Sequence, residues 1–483
     1  MSKQSQVLPV LSVAAFMASL DLFIVNVAFD DIGRDFSGSS LADLSWILNA
    51  YAILYAALLV PLGRLADRYG QKAGFLTGLA LFTLGSAACA ASPGLGALIA
   101  FRGVQAIGAA ALTPTSLGLL LNATPPERRV RAVRIWAATG GLAAAAGPVV
   151  GGLLVTASWR WVFLVNIPIG VAAFIVALRV LPNPRHDTTA KLPDLLGALL
   201  LTISIGALAL GLVKAPDWGW TSAPVLGCLA GALTGVGIFW RRSGRHSSPV
   251  IEPALLRVRS FSWSNVTAVA FTIAFAAGLL ANILWLQEVW HYSALRTGLA
   301  IAPGPMMVPL FAAIAQRVAH RVPVGWIAAA GCSLFAAGTL LIQFSLGADV
   351  SYVTDALPGW LLTGAGVGLA LPTILSQATV DLPPHRAATG SAVVNMSRQI
   401  GTVLGVSVLV ALLGTPQGYA ATHAAFSNAR WAVFAAAVIG AVAALRMTPR
   451  ATAPVAAAEA EQPNAVPSAA AAGNAAAALE TAS

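Results

Sequence analysis

Apolar runs of about 20 residues alternate with short polar, basic or Pro/Gly-bearing breaks along almost the whole chain. At 1.5 Å per residue such a run makes a helix about 30 Å long, which matches the hydrocarbon thickness of a bilayer. The runs fall near residues 7–29, 44–63, 74–92, 95–122, 132–156, 161–181, 192–213, 224–240, 262–286, 297–317, 324–345, 357–380, 396–414 and 425–446. The pattern predicts an all-α polytopic membrane protein with fourteen spans. Residues 448–483 leave the pattern. They are Ala-rich with scattered Pro, Glu and Ser, bury too little to fold, and are expected to form a disordered tail.

The breaks between spans recur. Pro114-Thr115 precedes Pro125-Pro126 and Arg128, and Pro372-Thr373 precedes Pro383-Pro384 and Arg386 at the same spacing. "VPLGRLADRYGQK" at 60–72 aligns with "VPLFAAIAQRVAHR" at 308–321, which sets Arg68 against Arg317, Lys72 against Arg321 and Asp67 against Gln316. Apolar segments can align by chance, but two pairs in the same order argue for a duplication. The expected domains are a six-helix bundle at 1–182, a linker at 183–257 carrying two additional central helices, and a second six-helix bundle at 258–447. Repeated bundles facing each other across a cavity are the arrangement that alternating access uses.

Composition narrows the class. The chain has 483 residues, 58% hydrophobic and 10% charged, too little charge to cover a soluble surface of this size. Its net charge of +10 is spread through short loops, so it is not a nucleic-acid footprint. Cys89, Cys228 and Cys332 lie in apolar runs without disulfide or metal spacing. With the N-terminus inside, 22 of the 28 Lys and Arg residues fall on the cytoplasmic side, Arg398 among them; Arg34, Arg160, Lys214, Arg296 and Arg430 fall opposite. Cytoplasmic loops carry the basic excess, so both termini are expected in the cytoplasm.

That leaves Arg102, which falls inside the fourth span. Asp21 falls inside the first, in "MASLDLFIVNVAFD". A charge at bilayer depth costs roughly 3 kcal/mol or more and is expected to face the bundle interior and pair. Both lie about 10–12 Å below the outer ends of their spans, so they meet at one depth. Two readings follow. The pair is a static tie between helices, or Asp21 is a proton carrier alternating between an ionised state, paired with Arg102 or a cationic substrate, and a protonated one. Asn49, Tyr51, Gln105, Asn282, Trp285, Gln287, Gln377 and Asn395 are polar or aromatic groups in apolar runs. They are expected to line a substrate cavity or to bond helix to helix. Glu288 and His291 are either a second protonation site or an exposed loop pair.

Several stretches resemble a known family. "GRLADRYGQK" (63–72) is similar to the loop signature between helices 2 and 3 of the major facilitator superfamily, and "RGVQAIGAAA" (102–111) to its helix-4 motif. "AGPVVGG" (146–152) resembles the helix-5 motif of its antiporters. "LDLFIVNVA" (20–28) and "WRWVFLVNIPIG" (159–170) resemble segments of the fourteen-helix drug:proton antiporter branch. The sequence departs from the pattern at Phe29-Asp30, where Leu-Pro is usual, and at Ala143, where a glycine is usual. The resemblance implies a major facilitator fold and a proton-coupled multidrug or antibiotic efflux antiporter in a bacterial inner membrane. It implies that Asp21 and Arg102 couple protons, and that Gly63, Asp67, Arg68, Gly70 and Lys72 latch the cytoplasmic side. It also implies that Gly147, Pro148, Gly151 and Gly152 bend and pack helix 5 against proton leak. Asp67 is expected to meet a helix N-terminus of the other bundle, and Arg68 and Lys72 to meet cytoplasmic carboxylates or headgroups.

The expected partners are protons, membrane lipid and a small amphipathic substrate, cationic or aromatic. An adaptor protein stays open. No GxxxxGK loop, metal cluster or catalytic triad is evident, so the expectation is no enzyme and no cofactor, with the proton gradient as driver. The alternatives are a proton-coupled importer of a small organic solute and a non-transporting sensor or scaffold.

Overall fold

The computed structural model describes residues 3–183 and 192–448. Residues 449–483 of the expected tail, and the basic positions Arg185, Lys191 and Arg450, lie outside the described residues, as do the side chains of Lys3 and Arg134. Among the described residues the chain is helical and carries no strand. A spanning segment in lipid must satisfy its own backbone hydrogen bonds, and an α-helix does so residue by residue.

Fourteen helices follow the predicted spans. They are α1 Lys3–Val27, α2 Leu41–Tyr69, α3 Gln71–Ala90, α4 Leu95–Ala123, α5 Pro126–Val155 and α6 Trp161–Val180, then α7 Leu195–Trp218 and α8 Ala223–Ser243. The second bundle has α9 Arg259–Leu284, α10 Ala294–Val318, α11 Val324–Ser345, α12 Leu357–Val380, α13 Pro384–Leu413 and α14 Tyr419–Ala444. Among the described residues thirteen are long and apolar enough to cross a membrane; α5 has 30 residues, of which several side chains lie outside the described set, and it opens on Glu127, Arg128 and Arg129. A short helix, Phe29–Asp35, follows α1.

Local chemistry sets the ends. Ser40 and Asp43 form a reciprocal capping box at the start of α2, each side chain accepting from the other's backbone N–H. Pro126 and Pro384 occupy the first turns of α5 and α13, where a missing N–H removes no helix bond. Gly70 ends α2 and starts α3 at φ 114°, a backbone that L side chains rarely adopt. Gly70→Ala is therefore expected to lower stability by about 1–3 kcal/mol, read as a lower melting temperature in detergent.

The helices alternate in direction between two faces. One bears the ends of α2, α8 and α10 with Arg64, Arg241, Arg242 and Arg317, and is called the basic face; the other is the far face. Two helix pairs make most of the contact between the bundles: α2 packs on α13, and α5 on α10. The linker helices stand beside the first seam. α7 lies against both α2 and α13, and α8 lies against α7. Lys214 of α7 pairs with Asp43 of α2 at 2.8 Å, and Arg242 of α8 pairs with Asp194 before α7 at 2.8 Å.

Two basic residues counted with the loops lie deep inside helices. Arg398 was expected on the cytoplasmic side and Arg430 on the opposite side, but both lie inside helices, 14 residues into α13 and 11 into α14. Loop counting fails here because each charge interrupts an apolar run only once, and the helix continues through it.

At the basic face the two halves meet through the segment after α8. Arg64 of α2 donates to Ser248 Oγ (2.6 Å), the Pro249 carbonyl (2.9 Å) and Glu252 Oε1 (2.9 Å). The other carboxylate oxygen of Glu252 is 3.8 Å from Arg386 Nε of α13. Glu252 thus bridges the first bundle to the second. A half-exposed bridge contributes about 0.2–1 kcal/mol. Glu252→Gln is expected to raise, by about two- to fivefold, thiol labelling of a cysteine placed between the halves on this face.

Candidate functional site

Asp21 sits on α1 with no exposed surface, and Arg102 on α4 is 1% exposed. Arg102 Nη1 donates to Asp21 Oδ2 in a short contact, so the pair that shared depth suggested does form. The carboxylate is held by more than one donor. Gln105 Nε2 donates to Oδ1 at 2.8 Å and Asn166 Nδ2 of α6 donates to the same oxygen at 3.3 Å. Ser86 of α3 accepts from Gln105 (3.0 Å) and from Asn166 (2.9 Å), and donates to the Phe163 carbonyl at 3.1 Å.

Arg102 is braced as well. Its Nη1 donates to Gln105 Oε1 at 2.7 Å and its Nε donates to the Ile47 carbonyl at 3.2 Å. Its guanidinium lies 4.2 Å from the centre of the Tyr51 ring, a cation–π distance. Five helices of the first bundle therefore converge on one carboxylate. The guanidinium and two amide donors enclose the carboxylate, engaging both of its oxygens. Asp21 is sealed, so no substrate touches it in this conformation.

Sequence reasoning singled out Asp21 and Arg102 but set Gln105 and Tyr51 in a substrate cavity. The structure puts both against the ion pair. Ser86 and Asn166 were missed. Asn166 had a signal, as a single amide in the apolar run "VFLVNIPIG"; Ser86 had none, because serines are common in membrane helices.

The loop residues hold one another and the ends of neighbouring helices. Asp67 accepts from Gln71 Nε2 at 3.1 Å, and Gln71 Oε1 accepts from Asn122 of α4 at 2.9 Å. This differs from the expected contact with the other bundle. Lys72 Nζ donates to the carbonyls of Leu178 (2.9 Å) and Leu181 (2.8 Å), at the end of α6. A cation there meets unsatisfied carbonyls and the negative end of the helix dipole, so it satisfies its charge without a carboxylate. The Arg68 guanidinium lies 5.7 Å from the Tyr69 ring centre. Gly63 faces Pro114 of α4, whose Cβ is 3.1 Å from where a Gly63 Cβ would stand.

The helix-5 residues use two faces of α5. A Cβ at Gly147 would meet Phe23 Cβ at 2.6 Å, and one at Gly151 would meet the Ile24 carbonyl at 2.9 Å, so this face packs on α1. One position on, Pro148 and Gly152 face the second bundle. A Cβ at Gly152 would strike the Ala294 carbonyl (2.6 Å) and Leu295 Cα (2.8 Å) of α10, and Gly298 of α10 abuts the Pro148 carbonyl. Backbone touches backbone, which only glycine permits on each side. The bundles are closed on each other here, in the far half.

The remaining candidates scatter. Asn49 Nδ2 donates to Ser407 Oγ of α13 at 3.3 Å and Gln287 Nε2 to the Val27 carbonyl at 3.0 Å, both across the bundle boundary in the far half. Trp285 is buried under Arg430, 4.8 Å from ring centre to guanidinium. Asn395 accepts from Arg398 at 3.2 Å. Gln377 is buried on α12 and Asn282 half-buried on α9, without a hydrogen bond among the described residues. Glu288 and His291 are exposed at the far face and form no ion pair among the described residues.

Two repeated bundles, glycine-mediated contact between them at one end and a buried protonatable group inside the first define a membrane carrier of the alternating-access kind. Residues 11–406 match the Major Facilitator Superfamily, and the chain belongs to that superfamily. It is 34% identical over 404 residues to multidrug resistance protein Stp of Mycobacterium tuberculosis, covering 82% of this chain and 74% of that one. It is 33% identical over 408 residues to the tetracenomycin C resistance and export protein of Streptomyces glaucescens (84% and 75% covered). It is 32% identical over 407 residues to a cephamycin export protein of Amycolatopsis lactamdurans (83% of each). Among solved structures it resembles a D-xylose–proton symporter, with TM-score 0.66, 12% identity and coverage of 93% and 98%. It also resembles a POT family transporter bound to 5-aminolevulinic acid, with TM-score 0.65, 16% identity and coverage of 90% and 94%. At these identities the structures speak to the fold alone.

Proposed function

We propose that this protein is a proton-coupled exporter of drugs or antibiotics that works by alternating access. It is a transporter of the major facilitator superfamily and not an enzyme, and curated relatives that cover most of its length are resistance and export proteins. The observation that carries the coupling mechanism is the Asp21 carboxylate, buried and held by Arg102, Gln105 and Asn166. In the closed-far conformation Asp21 is paired with Arg102 and held by Gln105 and Asn166. Rearrangement of the first bundle withdraws donors, the carboxylate takes a proton, and the neutral acid crosses membrane depth at lower cost.

The substrate is small and amphipathic. The proton gradient is the driver, with no nucleotide or metal required of the chain. The basic face is the cytoplasmic one, and the protein lies in the cell's inner membrane. Counterflow in proteoliposomes with an imposed pH gradient tests the reading. Export by exchange requires substrate to accumulate on the side that releases protons. Accumulation with the proton flow would make the protein a symporting importer, and no gradient-dependent movement would remove the coupling.

A further inference from the structure

The second bundle carries two guanidiniums at membrane depth with no acid beside them. Arg398 lies about 21 Å along α13 from its basic-face end, close to mid-membrane. Its Nη1 donates to Asn395 Oδ1 of the same helix at 3.2 Å, and its Nε has no partner. Across the seam, on α2 that packs against α13, stands Tyr55, whose hydroxyl bonds Thr113 Oγ1 of α4 at 3.0 Å. Arg430 on α14 is buried at 3% exposure; its Nε donates to Gln343 Oε1 at 2.8 Å, while its Nη2 has no partner.

Among the described residues neither arginine belongs to an ion pair. Asp21 is already matched to Arg102. Among the described residues the middle of the membrane therefore holds three guanidiniums, of Arg102, Arg398 and Arg430, and the Asp21 carboxylate, an excess of positive charge in a medium where charge is costly. Structural arginines at such depth are normally neutralised, and one left with donors to spare on a carrier's seam is suited to an anion that comes and goes.

We infer that Arg398 anchors an acidic group of the exported molecule, so that the substrate class is amphipathic organic acids bearing a carboxylate or phenolate, with Tyr55 as the opposing aromatic and polar wall. Arg430 adds to the same potential without touching the ligand. A cationic substrate, one of the two kinds expected from the sequence, meets repulsion from both. This deepens the efflux reading and rests on it.

The test uses three dyes with one ring system: 1-pyrenebutyrate, its methyl ester and 1-pyrenebutylamine. Binding to the purified full chain in nanodiscs is read by fluorescence, and gradient-driven transport is read separately in proteoliposomes. Wild type is expected to bind the carboxylate at least about tenfold tighter than the ester, and the ammonium dye least. Arg398→Gln is expected to bring the acid-to-ester ratio near one without weakening the ester. Arg398→Lys, which keeps a point charge but not the fork, is expected to retain part of the preference. The inference is overturned if wild type binds the ammonium dye as tightly as the acid, if it binds none of the three, or if Arg398→Gln keeps the preference. If the variant does not fold, the wild-type ratio and the Lys variant still decide. Transport of the ammonium dye against its gradient sinks the acid-anchor inference but leaves efflux standing. Movement of no dye and of no test drug under a proton gradient removes the efflux reading itself.

Discussion

Asp21→Asn is expected to abolish proton-linked transport, lowering the substrate-driven proton flux of proteoliposomes by at least about tenfold. An asparagine cannot release and rebind a proton in the working range. It also upsets the donors. Asp21 Oδ1 accepts from Gln105 and Asn166 while Oδ2 accepts from Arg102, so all three sites need acceptors. An amide offers one acceptor and one donor, and whichever way it is turned a donor faces a donor. Arg102 is then left buried without a counter-charge, which costs about 3–5 kcal/mol. The single variant is therefore expected to lose both coupling and thermal stability.

The double variant Asp21→Asn with Arg102→Gln separates the two roles. Removing both charges removes the buried imbalance, so the melting temperature is expected to recover most of its loss. Replacing a whole buried pair is often nearly neutral for stability. If the pair is only a tie between α1 and α4, transport returns with stability. If Asp21 carries the proton, stability returns and the proton flux does not. Unchanged flux in the single variant would move the coupling role to another acid, with Glu288 and Asp67 next in line.

The second large effect is expected at the α5–α10 contact. Gly298 abuts the Pro148 carbonyl, and Gly152 faces the Ala294 carbonyl and Leu295 Cα. Neither opposing group is a flexible side chain that can swing aside. Gly298→Val forces the helices apart exactly where the far half is shut, so that conformation loses about 1–3 kcal/mol by overpacking. The population shifts by about 5- to 150-fold toward conformations open at the far face. Thiol labelling of a cysteine placed near Asn26 from the far side is expected to rise accordingly, and turnover to fall. Gly298→Ala should give the same direction with a smaller size. Equal labelling of wild type and Gly298→Val would show that this contact does not govern access.

The two predictions concern residues of very different legibility. Asp21 and Arg102 stand out in the sequence because a charge in an apolar run is expensive, and equal depth from the far ends brings them together. Gly152 was visible as part of a motif, but its opposite number, Gly298, was not. Contact between α5 and α10 depends on how two bundles lean together, and no periodicity along one helix encodes the partner's register. Lys72 shows the same limit. Its charge was plain, but its destination is the carbonyl end of α6, which lies 106 residues away in sequence.

Hydropathy by itself determined the fourteen spans, the linker pair α7–α8 and the sidedness of most charges, because insertion into a bilayer is judged segment by segment on length and apolarity. It also determined that an acid and a guanidinium had to share the membrane interior. Tertiary structure alone decided that Gln105 and Tyr51 serve the ion pair, that Ser86 and Asn166 complete it, and that Arg398 and Arg430 have no acid beside them among the described residues. The physical reason is that hydrogen bonding between helices depends on rotation about each helix axis. A residue's place along the chain fixes its depth, but only packing against neighbours fixes the direction in which it points.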